Sequence, residues 1–291
     1  MQLVFHTGAH FTQEDRVTKC LLRNKGSLVT DGVAVPGPGR YRKLLTGMLD
    51  AMEQAPAAPD ARGLLVDAIL EGDRAERILL SHPHIFGEPA TALCDGILYP
   101  KAEGRVAALS DIFAQDELEF HMALRNPATL LPALFHAGPG GDTADFTDGY
   151  DPRVIRWSDT LLRMKEAARG AEISVWCNED APIIWGQLIR EIAGLNHGDA
   201  VTGAFDLFEE IMEPEGQQQF RDYISTRPEL TEIQMRRVMV VFLEKFARED
   251  EIDEVIDMPG WHADLIADMT AAYEEDVFEI GRIPGVTLIA P

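Results

Sequence analysis

The chain is expected to fold as an α/β protein: a mostly parallel sheet flanked by helices in three layers, with a helical C-terminal extension. Three observations lead there. Short apolar runs alternate with stretches of helical spacing through the first two thirds of the sequence; this order builds a parallel sheet with helices packed on it. The 291 residues are 46% hydrophobic, enough for one large core. The last third changes character: Met235, Val238, Met239, Phe242 and Phe246 form one stripe, and Leu265, Met269, Tyr273 and Val277 another. Both recur at helix period. The expected organisation is one domain over residues 1–291, with 199–285 as its mainly helical extension.

Leu3-Val4-Phe5 reads as a short buried strand and Gly8 as a tight turn. Residues 12–24 read as a helix with Val17, Cys20 and Leu21 inside and a capping-box-like start at Thr12 and Asp15. Residues 28–35 look extended and stop at Pro36-Gly37-Pro38-Gly39, which neither a helix nor a central strand accommodates. Arg40, Tyr41, Arg42 and Lys43 follow at a helix start and are the densest basic cluster of the chain. After an Ala/Pro linker at 54–60 come a helix at 63–70 and a buried strand at Arg77–Ser81. A helix at 105–113, a strand at 118–124 and a helix at 128–136 follow. The Gly/Asp-rich stretch 138–149 reads as a mobile surface loop. An amphipathic helix at 152–169, a strand at Glu172–Cys177 and a helix through Ile192 complete the alternation. Four helices are expected at 207–212, 217–224, 231–247 and 261–280, with a final strand near 285–289.

Lys and Arg number 26 against 49 Asp and Glu, a net charge of −23. Nucleic acid and anionic membranes need local positive charge, so neither is an expected partner. Cys20, Cys94 and Cys177 are isolated and odd in number, which suits buried thiols in a reducing cytoplasm. The N-terminus lacks the basic and apolar regions of a secretory signal, and no apolar run approaches the ~18 residues of a membrane span.

In open parallel sheets ligands gather at the carboxyl ends of the strands. That rule collects residues 8–12, 81–84 and Arg125 with Asn126, which are distant in sequence and expected to be neighbours in space. His10, His82 and His84 lie in these segments, and His82 and His84 are candidates for a general base near neutral pKa. No carboxylate is spaced to complete a metal site with them, so no metal is expected. Arg125, just past a strand end, is placed to bind an anion or to bridge two loops. Arg40 and Arg42 are candidates for gripping an anionic substrate.

His6-Thr7-Gly8-Ala9-His10-Phe11-Thr12 and Leu124-Arg125-Asn126-Pro127 together resemble bacterial sulfotransferase-like proteins, over roughly residues 1–195. Their opening loop commonly reads His-x-Gly-x-x-Lys-Thr-Gly followed by two hydroxyl residues. The resemblance implies a phosphate-loop nucleotide-binding fold whose cofactor is 3′-phosphoadenosine-5′-phosphosulfate, if the activity is retained. Gly8 and Thr12 would then hold the donor's 5′ end and Arg125 its 3′-phosphate. His10 or His82 would lie near the transferred group, and a small anion or hydroxylated acceptor would be the partner.

The loop departs from that pattern. The family's Lys falls on Phe11, its Gly on Gln13 and its hydroxyl pair on Glu14 and Asp15, while the Ser eight residues after the Arg falls on Ala133. A charged hydrogen bond to phosphate is worth about 1.5–3 kcal/mol. A carboxylate ~4 Å from a phosphate opposes binding by roughly 1–4 kcal/mol. Together these changes weaken donor binding about a thousandfold or more. The sequence therefore predicts a sulfotransferase relative with a degenerate donor site, impaired in catalysis or repurposed for binding. The alternative is an active transferase that acts on a small hydroxylated or anionic substrate.

Overall fold

The computed structural model describes residues 1–138, 142–252, 254 and 256–291. Six parallel strands form the central sheet: β1 (Gln2–His6), β2 (Val33–Ala34), β3 (Arg77–Ser81), β6 (Glu117–Leu124), β7 (Glu172–Cys177) and β8 (Val286–Leu288). Their order is β2-β3-β1-β6-β7-β8. A separate hairpin pairs β4 (Leu93–Cys94) with β5 (Ile97–Leu98). The α/β class, the flanking helices and the helical C-terminal region are as the alternation of patterns requires.

Strand residues alternate between two buried faces, as they must in a sheet covered on both sides. Leu3, Phe5, Ile78, Leu80, Phe120, Met122, Ile173 and Val175 join one core with helices Arg42–Met52, Ala61–Leu70, Ala102–Ile112, Pro127–Ala137 and Trp157–Ala167. Val4, Leu79, Ala123 and Trp176 join the other with helices Glu14–Arg23 and Ala181–Ala193. The second face also carries a row of polar residues. Ser81, His6, His121 and Ser174 sit side by side in register, and Arg77 donates to both oxygens of Glu119 at 2.7 and 2.5 Å.

The C-terminal region is two things. Phe208, Met212, Phe220 and Met239 make a small core of their own. The long helix Ala263–Ile280, by contrast, sends Met269, Tyr273 and Ile280 into the main core and then delivers β8 to the sheet edge.

Three local expectations change. Residues 28–35 are not one extended run: Lys25–Thr30 is helical and only Val33–Ala34 reaches β3. The Asn24 side chain holds the bend between the two helices by bonding the Cys20 and Thr202 carbonyls and accepting the Thr202 N–H. The helix expected from 152 begins at Trp157, after a 3₁₀ turn at Pro152–Val154; Asp276 accepts the Trp157 and Ser158 N–H groups at 2.6 and 3.2 Å. In the stretch 138–149, Thr143–Phe146 is a helical turn, and residues 139–141 lie outside the described residues.

Candidate functional site

After β1 the chain passes to β2 at one edge of the sheet and returns inward to β3 beside β1, then crosses to β6, β7 and β8 on the other side. The carboxyl end of β1 is thus the topological switch point, where open α/β sheets bind their ligands. The loop 7–13 leaves β1 there, with the ends of β3 and β6 on either side. The three segments that the sequence groups together do meet at this point.

Gly8 makes the turn with φ +79°, and a Cβ on it would approach Pro83 Cα at 3.3 Å and O at 3.4 Å. Both strain and contact therefore require glycine here. Gly8→Ala should lower stability by about 1–2 kcal/mol, read as a fall in thermal midpoint. Gly37→Ala, at φ −64° with nothing within 4 Å of the new methyl, should leave the midpoint unchanged. Equal effects would mean that the Gly8 turn is not strained. Phe11 is also left-handed, with φ +56°, a conformation that a bulky residue holds only where its surroundings enforce it.

Those surroundings are explicit. The Phe11 carbonyl accepts from Arg125 Nη1 at 2.8 Å. Arg125 Nε donates to Thr129 Oγ1 at 3.0 Å, and its Nη2 pairs with Glu254. Arg125 is buried, and its own carbonyl accepts the Trp157 indole N–H at 2.8 Å. Thr12 does not cap a helix: its hydroxyl donates to the Ala9 carbonyl at 2.8 Å. The helix starts two residues later at Glu14, with Gln13 in the capping position and no side-chain cap. Gln13 instead turns inward, donating to Asn178 Oδ1 and accepting from the Trp176 indole.

A phosphate loop works by pointing free N–H groups at an anion. Here the Thr7 N–H goes to the His121 carbonyl, the Ala9 N–H to the Ala123 carbonyl and the His10 N–H to the Tyr99 hydroxyl. His10 is engaged at both ring nitrogens. Nε2–H donates to the Gly87 carbonyl at 3.1 Å, and Nδ1 accepts from the Tyr99 hydroxyl at 2.9 Å. Its ring also stacks on Tyr99 and meets the edge of His84. Burial, with the His84 charge, lowers its pKa to about 4.

His82 is buried too; its Nε2 meets Thr46 Oγ1 at 2.7 Å, and its Nδ1 has no partner among the described residues. Burial, with Arg42 beside it, lowers its pKa to about 4. Both histidines are thus neutral and weakly basic at pH 7, well below the near-neutral poise that general-base catalysis favours. His84 is half-buried and pairs with Glu88 at 2.8 Å. His6, stacked on Trp176 and bonded to Ser81 Oγ, is buried beneath the loop and its pKa is lowered to about 3 by burial and by His121.

The basic cluster divides. Arg42 reaches the β3 end, donating to the Ser81 carbonyl and to Asp15 Oδ1, both at 2.8 Å. Arg40 turns away to Glu71 at 2.9 Å, so the two arginines do not grip one anion. The sequence missed Tyr41, whose hydroxyl donates to the Ser81 carbonyl and accepts its N–H. Glu179, which follows β7 and is by its place after a strand a possible partner for Arg125, instead accepts from the Asn126 N–H and from the Tyr273 hydroxyl, while Arg125 pairs with Glu254. Burial raises the pKa of Glu179 and of Tyr273. Tyr273 lies in the helical extension, too remote in sequence for any spacing rule.

Two of the three residues offered for the phosphosulfate donor, Thr12 and Arg125, are bonded within the protein. Arg125 is held by three protein acceptors, and the N–H groups of residues 7, 9 and 10 face protein atoms. No protein-family model matches the chain, and no curated protein is similar enough to match. Among the described residues no helix is long and apolar enough to cross a membrane.

Proposed function

We propose that the chain is a relative of the sulfotransferase-like phosphate-loop proteins whose donor loop has become a structural junction, and that it acts by binding a partner or small molecule and not by transferring sulfonate. One observation carries this reading: Arg125, the residue assigned by resemblance to the donor's 3′-phosphate, is bonded to the loop's own Phe11 carbonyl, to Thr129 and to Glu254. For a nucleotide phosphate to take its place, a buried guanidinium must first give up these partners. A charge-assisted hydrogen bond of this kind is worth about 1.5–3 kcal/mol. The position of the loop at the switch point supports the kinship, and its internal bonding supports the loss of the donor.

Calorimetric titration with adenosine 3′,5′-bisphosphate tests this. The expected result is no heat of binding at millimolar ligand. Micromolar affinity that disappears in Arg125→Ala would overturn the proposal and restore the transferase.

A further inference from the structure

A second concavity lies away from the loop, between helix Ala181–Ala193 of the sheet layers and helix Glu232–Phe246 of the C-terminal region. We infer that this cleft binds a small organic monoanion, a carboxylate on a short apolar chain. The proposal is independent of the reading of the β1 loop.

The cleft holds about 480 Å³, within the ~300–1,000 Å³ typical of small-molecule sites, and it lies at a junction of substructures, where such sites concentrate. Ile184, Phe205, Met235 and Met239 give it an apolar wall. The methionines are unbranched and adapt to ligands of varied outline.

Charge selects the ligand's head group. In this chain of net charge −23 most buried or half-buried arginines meet a carboxylate, as Arg77, Arg105, Arg125 and Arg190 do. Arg236 on the cleft wall does not. Its guanidinium donates to Gln187 Oε1 and, at 3.5 Å, to the Ala290 carbonyl, both neutral acceptors, and no described carboxylate pairs with it. Across the cleft, Arg190 pairs with Glu232, and Asp199 also lines the wall. Arg190 and Glu232 pair, and Asp199 is held by the Asn196 N–H and side-chain amide, which leaves Arg236 as the arginine of the cleft that meets no described carboxylate. That arrangement favours one negative charge. A phosphate dianion would be repelled by Glu232 and Asp199, and a neutral ligand would leave Arg236 unpaired.

Octanoate titrated into the full chain, with octanol as the neutral control, tests the inference. Saturable octanoate binding is expected, at least about tenfold tighter than octanol. Arg236→Gln should remove that preference, since losing one charge-assisted hydrogen bond weakens binding about tenfold or more. Arg236→Lys should keep it. Met235→Trp, which fills the cleft, should abolish binding of both compounds. Absence of saturable binding, equal affinity for octanol, or unchanged octanoate affinity in Arg236→Gln would each overturn it.

Discussion

Arg77→Met should destabilise the protein by about 3–5 kcal/mol at pH 7, measured by urea unfolding. Arg77 is buried at the amino end of β3, bonded to both oxygens of Glu119, to Gln2 Oε1 and to the Ile192 carbonyl. Removing it strands the Glu119 carboxylate, whose side chain is only 16% exposed. Burial alone would raise the Glu119 carboxyl, but hydrogen bonds from His121 and Arg77, with the Arg77 charge, hold it at about 2. Since this folded value lies below the unfolded one near 4.5, the group's stabilisation is complete above about pH 4.5. It fades as the pH falls towards 2 and amounts to about 3 kcal/mol at most.

The variant reverses the sign. Without Arg77, burial dominates and raises the Glu119 pKa, so acid should protonate the carboxyl and relieve the variant. Its deficit against the parent should shrink between pH 7 and pH 4, and Arg77→Met combined with Glu119→Met should recover most of the loss. A deficit that is constant with pH would show that packing, and not the ion pair, sets the effect.

Trp157→Ala should cost about 3–5 kcal/mol through lost burial and the cavity it leaves. Trp157 is fully buried, stacks on Tyr99 with ring centroids 5.8 Å apart and bonds the Arg125 carbonyl through its indole. Tyr99 in turn bonds and stacks on His10. Trp157 therefore underpins both sides of the β1 loop. Trp157→Phe keeps an aromatic ring but orphans the Arg125 carbonyl, for about 1–3 kcal/mol. If Phe proved as damaging as Ala in urea unfolding, the hydrogen bond would outweigh the packing.

The sheet was legible in the sequence because its strands are short apolar runs ending in turn residues. Arg77–Ser81 and Glu172–Cys177 appear at the bounds read from the pattern. Residues 28–35 misled because β-branched residues alone do not make a strand; only Val33 and Ala34 have a partner to pair with. The meeting of loop 7–13, Ser81 and Arg125 was legible because strand order brings carboxyl ends together. What closes the loop was not. Tyr99, Glu254 and Tyr273 act across long sequence separations, and nothing in their local pattern marks them as partners; Thr129 lies only four residues beyond Arg125. Arg40 and Arg42 make the same point at short range: two residues apart, one joins the site and the other an unrelated ion pair.

The sheet's flanks have a consequence for behaviour in concentrated solution. Both outermost strands are minimal, two residues in β2 and three in β8, while the eight-residue β6 lies inside the sheet. Unpaired backbone groups at a sheet's rim can template the addition of strands from another molecule, and short rims limit that growth. With a net charge of −23 adding repulsion between copies, the native molecule offers little foothold for strand-on-strand polymerisation.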